Sequence, residues 1–336
     1  MKNVMWFWQL LSRAPQRSVV VLAVAMAVYV VVGVAIRLTI KDAIPFLAAI
    51  YYAAPLPAVT LAAVFAGLLW AFLKRPRIAL LSFAIGFACA WWTYQHTYVT
   101  NLDQANPFDR CVMFWNVSSG RLGWDHMVAT LKSQNPDVIG LVEIDSSDSE
   151  ALVRWRESFP DYELTETQGG ILLLSKSRIV SEADGSLGKG GRYKHVTIET
   201  DTGVLHVFIV DIKSDPLMPR RALLEELAKI TSALGNQPML VMGDFNTPGD
   251  SVHFDALRRS FDNAFESRGS GYSPTWPIPV PVLQLDHIWV NRQIILSHCT
   301  AKWTLSSDHR PVTAWLRLAP SDDLSQTEER GREYSS

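Results

Sequence analysis

Apolar positions are distributed in two different ways along this chain. Over the first hundred residues they form long unbroken stretches; beyond that, short apolar runs alternate with helical spacing. The long stretches are residues 19–36, bracketed by Arg17 and Arg37; 54–73, opening on Pro55 and Pro57; and 78–97, charge-free and ending in Trp91, Trp92 and Tyr94. Crossing a bilayer takes roughly 20 apolar residues, so the pattern predicts three transmembrane helices, with the last aromatic cluster at the interface. A cleaved leader does not account for the first stretch, which is long for a signal core and is followed by two more. The preceding "MKNVMWFWQLL" has an aromatic face with Lys2 and Arg13. It reads either as a segment lying on the membrane surface or as the start of the first helix.

From Arg110 the period changes. "CVMFWNV" and "DVIGLVEID" read as buried strands. Between them, Trp124, Met127, Val128 and Leu131 recur at helical spacing and stop before Pro136. "SDSEALVRWRESFP" predicts a second helix, with Asp148 or Ser149 as its cap. "GGILLLSKS" is strand-like, and "RYKHVTIET" joins "VLHVFIVDI" through the turn Asp201-Thr202-Gly203. "MPRRALLEELAKITSALG" is amphipathic, with Pro219 near its start and Gly235 at its end. "PMLVMGDFN", a short helix in "SVHFDALRRS", and the strands "LDHIWVN", "ILSHCTAKW" and "VTAWLRL" follow. Mixed strands and helices over about 210 residues predict a layered α/β domain at 101–318 behind a membrane anchor at 1–100. Residues 319–336 are polar and read as a disordered tail.

Charge sharpens the division. The chain has 336 residues and a formal net charge of −2, but the first hundred residues carry +7 and the rest −9. An acidic second part is a poor partner for a phosphate backbone, which argues against nucleic acid as a partner. Lys2, Arg13 and Arg17 precede the first span, and Lys74, Arg75 and Arg77 separate the second from the third. The other short loop holds Arg37 and Lys41. The excess of basic residues puts the N-terminus in the cytoplasm and, after three crossings, the α/β domain outside it, at the cell membrane. The spans hold no ionised group, so the membrane part reads as an anchor rather than a transport path. Three cysteines form neither a disulfide framework nor a zinc pattern. Cys111 and Cys299 read as separate buried thiols, with pairing left open in an oxidising compartment. Nothing in the sequence fixes an oligomeric state.

Several strand-like runs end in a polar residue: Asn116, Glu143, Asp211, Asp244 with Asn246, Asp286, and Asp308 with His309. Each has an ordinary structural explanation. Asn116 suits a turn, Glu143 a solvated strand end, Asp286 a cap, and His309 a packed histidine. Their common placement gives them weight, because loops converge at strand ends and sites are built there.

In chain order, "WNV", "DVIGLVEI", "GDFN", "LDHIWV" and "SSDHRPV" resemble the endonuclease/exonuclease/phosphatase superfamily of deoxyribonuclease I-like proteins. The resemblance implies a four-layered α/β sandwich and divalent-metal-dependent hydrolysis of a phosphate ester or anhydride. It implies that Glu143, helped by Asn116, holds Mg²⁺ or Mn²⁺, with Asp308 either a further ligand or a loop-fixing group. Asp244 is then the base that activates water, Asn246 its partner, and His309 a phosphate contact held by Asp286. One element departs. The family commonly has a histidine where this chain has Asp211 in "VFIVDIKSDP". Either Asp211 recruits a cation, or Lys213 supplies the missing positive contact. Trp276, in "SPTWP", resembles the family's aromatic-bearing loop; packing alone also accounts for it.

Spans followed by such a domain outside the cytoplasm resemble the VanJ-type membrane proteins linked to teicoplanin resistance. That resemblance implies a lipid-linked phosphate, such as a polyprenyl diphosphate or a phospholipid, as substrate. Two alternatives stay open: a nuclease or soluble-phosphoester phosphatase of the same superfamily, and a catalytically inactive, membrane-tethered binding module. The second would be expected to lose Glu143, Asp244 or His309, and all three are present.

Overall fold

The computed structural model describes residues 16–319 except 102, 104, 121, 122, 146–148 and 168. The N-terminal segment with Lys2 and Arg13, the cap at Asp148 and the expected tail from 320 onward lie outside the described residues. Two compact units divide the chain, Met1–Thr97 and Tyr98–Ser336.

The first unit has four described helices: α1 (Gln16–Leu38), α2 (Pro45–Ala53), α3 (Leu56–Phe72) and α4 (Pro76–Thr97). Among the described residues, only α1 and α4 are individually long and apolar enough to cross a membrane, with mean hydropathy 3.0 and 1.3. The stretch expected to span at 54–73 departs from a simple helix. At Pro55 the chain bends by 61° between α2 and α3, and the pair counts as a third span only if taken together. The cause is local. Proline supplies no N–H to the helix ladder, and α3 alone, with 17 residues, is about 26 Å long, short of a hydrocarbon core of about 30 Å. Arg37 serves the break. Its Nε donates to the Ala54 carbonyl at 3.0 Å and its guanidinium lies 4.4 Å from the Tyr51 ring centre. Elsewhere small residues let helices approach: a side chain at Gly33 would meet Val59, and one at Gly86 would meet Val64. Val21, Leu61, Leu80 and Phe87 are exposed, as a lipid-facing surface requires.

The second unit is two sheets packed face to face. One runs β1 (Tyr98–Thr100), β11 (Gly269–Tyr272), β13 (Ile294–Ala301), β14 (Val312–Leu318), β2 (Arg110–Asn116), β3 (Val138–Val142), β5 (Ile171–Ser175) and β4 (Glu163–Thr167) in spatial order. The other runs β10 (Phe261–Asn263), β12 (Asp286–Asn291), β9 (Met239–Asp244), β8 (Gly203–Ile212), β7 (Gly191–Thr200) and β6 (Ile179–Leu187). The inner faces share one core, with Val112, Phe114, Ile209, Leu240, Met242 and Ile288 at its middle. The first sheet packs its outer face on α5 (Trp124–Lys132) and α6 (Ser149–Ser158) through Trp115, Met127 and Trp155. The second packs on α7 (Arg220–Ser232) and α8 (Asp255–Arg258) through Phe208, Leu224 and Leu257. The result is the expected four-layered α/β sandwich.

Cys111 and Cys299 are buried and unbonded, on strands β2 and β13 that β14 separates.

Candidate active site

Period-two alternation carries polar side chains out of the shared core to one end of it. On β2 the inner positions are Val112, Phe114 and then Asn116; on β9 they are Leu240, Met242 and then Asp244. On β12 the series begins at Asp286 and continues through Ile288 and Val290. β12 runs antiparallel to β9 with Asp286 opposite Asp244, so the start of one strand meets the end of the other. β8 is parallel to β9 with Asp211 opposite Asp244. Asn116, Asp211, Asp244 and Asp286 therefore share one edge of the sandwich.

Two loops complete it. Glu143 follows β3 with φ 55°, a left-handed backbone that is uncommon for a residue other than glycine. The turn is held by Ser119 N–H donating to the Glu143 carbonyl at 2.7 Å and Ile144 N–H to Gly170 at 3.1 Å. Asn246 also has a left-handed backbone, φ 46°. Its N–H donates to Asp244 Oδ1 at 2.9 Å and its side-chain amide to the Ile212 carbonyl at 2.7 Å. Such strain clusters where surrounding structure overrides local preference.

The contacts define a network. Asn116 Nδ2 donates to Glu143 Oε1 at 3.0 Å and to Asp244 Oδ2 at 2.9 Å, while its Oδ1 accepts from Ser118 N–H at 2.9 Å. Asn116 thus clips two carboxylates together. His309 Nδ1 lies 2.8 Å from Asp286 Oδ2, and its Nε2 lies 3.9 Å from Asp244 Oδ2. Asp244 and Asp286 are 1 % and 0 % exposed. Burial, then the nearby Asp286 charge, push Asp244 up to about 7, against the pull of His309 and the amides of Asn116 and Asn246. For His309, burial opposes the charge, but Asp286, Asp244 and Asp308 outweigh it and push the imidazole up to about 10. The surrounding carboxylates thus favour the charged form of the ring, whose Nε2 faces Asp244.

Of the other expected site residues, Asp308 and Trp276 join the cluster. The indole N–H of Trp276 lies 3.4 Å from Asp308 Oδ2, and its ring is 6.5 Å from that of His309. Lys213 is exposed, and its backbone N–H donates to the Gly190 carbonyl at 2.9 Å. Asp211 has a counter-charge that sequence reasoning missed: Arg192 Nε and Nη2 both donate to Asp211 Oδ2, at 2.8 and 2.5 Å.

Four more residues escaped the sequence reading because they act through the backbone. Ser307, fully buried, donates to the Asn116 carbonyl at 2.7 Å and accepts from His309 N–H at 3.1 Å. Thr275 Oγ1 accepts from the Leu285 and Asp286 N–H groups. Arg310, 2 % exposed, donates to the carbonyls of Tyr272, Pro274 and Ala301 and so fixes the loop that carries His309. Trp115, inside β2, donates its indole N–H to the His309 carbonyl at 2.9 Å.

The donor set suits a hard divalent cation. Asn116 joins Glu143 to Asp244, Asp244 and Asp286 flank His309, Asp308 precedes it, and the buried Asp286 Oδ1 has no hydrogen-bond partner among the described residues. Asp244, Asp286 and His309 each place one ligand atom within 4.8 Å of the others. A cation bound by that trio would compete with the His309–Asp286 hydrogen bond, whereas Glu143 is exposed and accepts only from Asn116 among the described residues.

The sequence profile of the Endonuclease/Exonuclease/phosphatase family matches residues 113–309. Solved structures share the fold. An endonuclease/exonuclease/phosphatase from Bacteroides vulgatus superposes with TM-score 0.53 at 16% identity, over 63% of this chain and 99% of that one. The mannosyl-6-phosphatase of Bacteroides thetaiotaomicron gives 0.51 at 17%, over 62% and 100%. The human Nocturnin catalytic domain with bound sulfate gives 0.52 at 17%, over 68% and 98%. No curated protein matches the sequence.

Proposed function

The chain belongs to the endonuclease/exonuclease/phosphatase family, and on that premise we propose that it is a divalent-metal-dependent hydrolase of a membrane-associated, lipid-linked phosphate, acting outside the cytoplasm. The observation that carries the chemistry is the pairing of a buried carboxylate, Asp244, with an imidazolium, His309, whose Nε2 faces it at 3.9 Å.

Asp244 accepts the proton of the attacking water; its affinity for a proton, raised by burial, suits a base working near neutral pH. The backbone N–H of Asn246 and the side chain of Asn116 hold the carboxylate in place. His309 donates from Nε2 to a phosphoryl oxygen while Asp286 keeps the ring oriented and charged. Glu143 and Asp308 would hold the cation, with Asn116 fixing Glu143 through its side-chain amide. Mg²⁺ or Mn²⁺, when bound, polarises a non-bridging oxygen and offsets the charge that builds there. Displacement is direct, with no covalent intermediate, and Trp276 flanks His309 where the substrate enters.

The location follows from the last helix. Lys74, Arg75 and Arg77 stand at the start of α4, and no basic residue follows its end before Arg110. Basic residues favour the cytoplasmic side, so α4 runs outward and delivers the domain outside. This holds whether α2 and α3 together cross the membrane or not, because only the direction of α4 matters. The side of the N-terminus does depend on it: three crossings put it in the cytoplasm. The acidic balance of the domain disfavours long nucleic acid, and the VanJ-type reading rests on the architecture of spans followed by the domain. Anchoring raises the effective concentration of a lipid substrate at the site.

The test is phosphate release from a polyprenyl diphosphate, a phosphomonoester and DNA, with Mg²⁺ or chelator, by wild type and Asp244→Ala. Turnover of the lipid, lost with chelator and in the variant, is expected. Equal activity in the two proteins would remove Asp244 as the base, and activity on DNA alone would remove the lipid reading. A C-terminal reporter active only outside the cytoplasm is expected to be active.

A further inference from the structure

We infer that Arg192 is a substrate-binding residue: it holds a second anionic group of the substrate, beside the phosphoryl group attacked at Asp244, so that the site selects diphosphates over single phosphates. The choice of a phosphate at the attacked position rests on the function proposed above.

The geometry is a row across one sheet. Arg192 pairs with Asp211 on β8, Asp211 with Asp244 on β9, and Asp244 with Asp286 on β12, each as direct register partners. All four continue the inner-face alternation, which on β7 runs Ile198, Val196, Lys194 and Arg192. Neighbouring strands are about 4.8 Å apart, so the Arg192 backbone lies about 10 Å from that of Asp244. A side chain of its length, turned along the row, brings its charge to the far side of the site from His309. It is turned that way: Nε and Nη2 donate to Asp211 Oδ2.

The remaining guanidinium nitrogen, Nη1, makes no hydrogen bond among the described residues, and the side chain is 41% exposed while its partner Asp211 is 12% exposed. Nη1 occupies the space over Gly169, where an added Cβ would lie 2.3 Å from it. The adjoining Gly170 packs on the turn of Glu143, with an added Cβ only 3.7 Å from the Glu143 Cα. Arg192 therefore closes the site on the side away from His309, reaching from one sheet to the β4–β5 turn of the other. Its neighbour Lys194 differs: it is buried and spent on Asp184, Glu182 and the Glu166 carbonyl. A planar guanidinium fixed by two hydrogen bonds and keeping a free edge is pre-organised for a phosphate oxygen.

Binding can be read without turnover. Full-length protein in detergent with saturating Mg²⁺ is titrated by calorimetry with methylenediphosphonate and with methylphosphonate. Wild type is expected to prefer the diphosphonate by about tenfold to a hundredfold, and Arg192→Ala to lose most of that preference. Asp211→Asn removes the negative charge but keeps an acceptor for the guanidinium, so it is expected to bind the diphosphonate several-fold more tightly. An unchanged preference in Arg192→Ala overturns the assignment. So does an Asp211→Asn variant that loses affinity as Arg192→Ala does, since that marks the pair as a structural clip. Failure of the hydrolase reading would show separately, as no turnover of any phosphate ester by a wild type that still binds diphosphonate.

Discussion

Gly243 stands one residue before the proposed base, and the reason it is glycine is steric. Its backbone has no unusual φ; the constraint is the neighbouring strand. A methyl added at Gly243 would lie 2.2 Å from the Val210 carbonyl oxygen and 2.8 and 2.9 Å from its Cβ and carbonyl carbon. Real Cβ contacts below 3.0 Å are essentially never seen, so β8 and β9 must part by at least the 0.8 Å between 2.2 and 3.0 Å. That parting stretches the nearby ladder hydrogen bonds beyond useful length. Losing one or two of them, added to the overpacking, gives a cost of about 2–4 kcal/mol for Gly243→Ala. The displacement falls next to Asp244, and a misplacement near 1 Å costs about a hundredfold in rate. Gly140→Ala is the control. There the methyl would meet Met242 Cε at 2.5 Å, the far end of a flexible side chain, with Ile209 at 3.2 Å. Met242 can move aside, and the cost is expected to stay below about 1.5 kcal/mol. Urea denaturation followed by tryptophan emission reports stability through the buried Trp115, Trp155 and Trp289. Phosphate release under identical conditions reports activity. A Gly243→Ala protein with wild-type stability and wild-type activity would refute the reasoning, and so would a Gly140→Ala protein damaged as badly.

Four further outcomes are expected. Asp286→Asn removes the charge that keeps His309 cationic and oriented, and kcat for phosphate release is expected to fall about a hundredfold. Glu143→Gln removes one charged ligand, so the Mg²⁺ concentration giving half-maximal activity is expected to rise about tenfold or more in a metal titration. Acid is expected to weaken the fold through His287. Burial lowers that imidazole to about 4, and its neutral form is fixed by Nε2–H donating to the Thr247 carbonyl and Nδ1 accepting from Asn263. The folded pKa lies below the unfolded one, so this stability is fully present above pH 6.5 and is lost as pH falls toward 4. The loss is on the order of 3 kcal/mol, read from urea midpoints across that range, and the slope is expected to shrink in His287→Gln. Burial pushes the Cys111 thiol up to about 12 and Cys299 further still, so neither is expected to react with maleimide at pH 8 until the protein is unfolded.

What the sequence made legible follows the strength of each local pattern. Buried strands such as β2, β3 and β9 are continuous apolar runs and were readable. The strands missed include every edge strand, β1, β4, β6 and β10, together with β11. An edge strand pairs on one side only, and β6 exposes eight of the nine residues in IVSEADGSL fully or partly, five of them in an unbroken run. Its Glu, Asp, Gly and Ser disfavour a strand on propensity; pairing with β7 overrides that. The bend at Pro55 was signalled by Pro55 and Pro57, but a window of hydrophobicity cannot tell a broken helix from a continuous one. At the site, the polar ends of strands were visible because each interrupts an apolar run. Ser307, Thr275 and Arg310 were not, since they hold backbone carbonyls and N–H groups whose positions exist only after folding. Arg192 did leave a signal. In RYKHVTIET the inward positions Ile198 and Val196 lead by twos to Lys194 and Arg192, which marks two cations as facing the core.

The close approach at Gly243 and the charge at Arg192 belong to one structural choice. Packing β8 tightly against β9 sets Asp211 directly beside Asp244, and β12 sets Asp286 on the other flank. Carboxylates at adjacent register positions, about 4.8 Å between strands, repel one another at the proposed phosphate site. On the β12 side the repulsion is relieved by His309, held 2.8 Å from Asp286. On the β8 side no histidine is available, and the relief comes from the next strand, through two hydrogen bonds from Arg192 to Asp211. The row is thereby closed by a cation at each end, one an imidazolium and one a guanidinium, with the proposed base between them. A guanidinium does not lose its proton in the working range of pH, and an imidazole can. On the proposed reading, the permanent charge of Arg192 sits on the flank remote from Asp244 and only holds, which leaves His309, whose Nε2 faces Asp244 at 3.9 Å, as the group that can give up a proton beside the attacked phosphoryl.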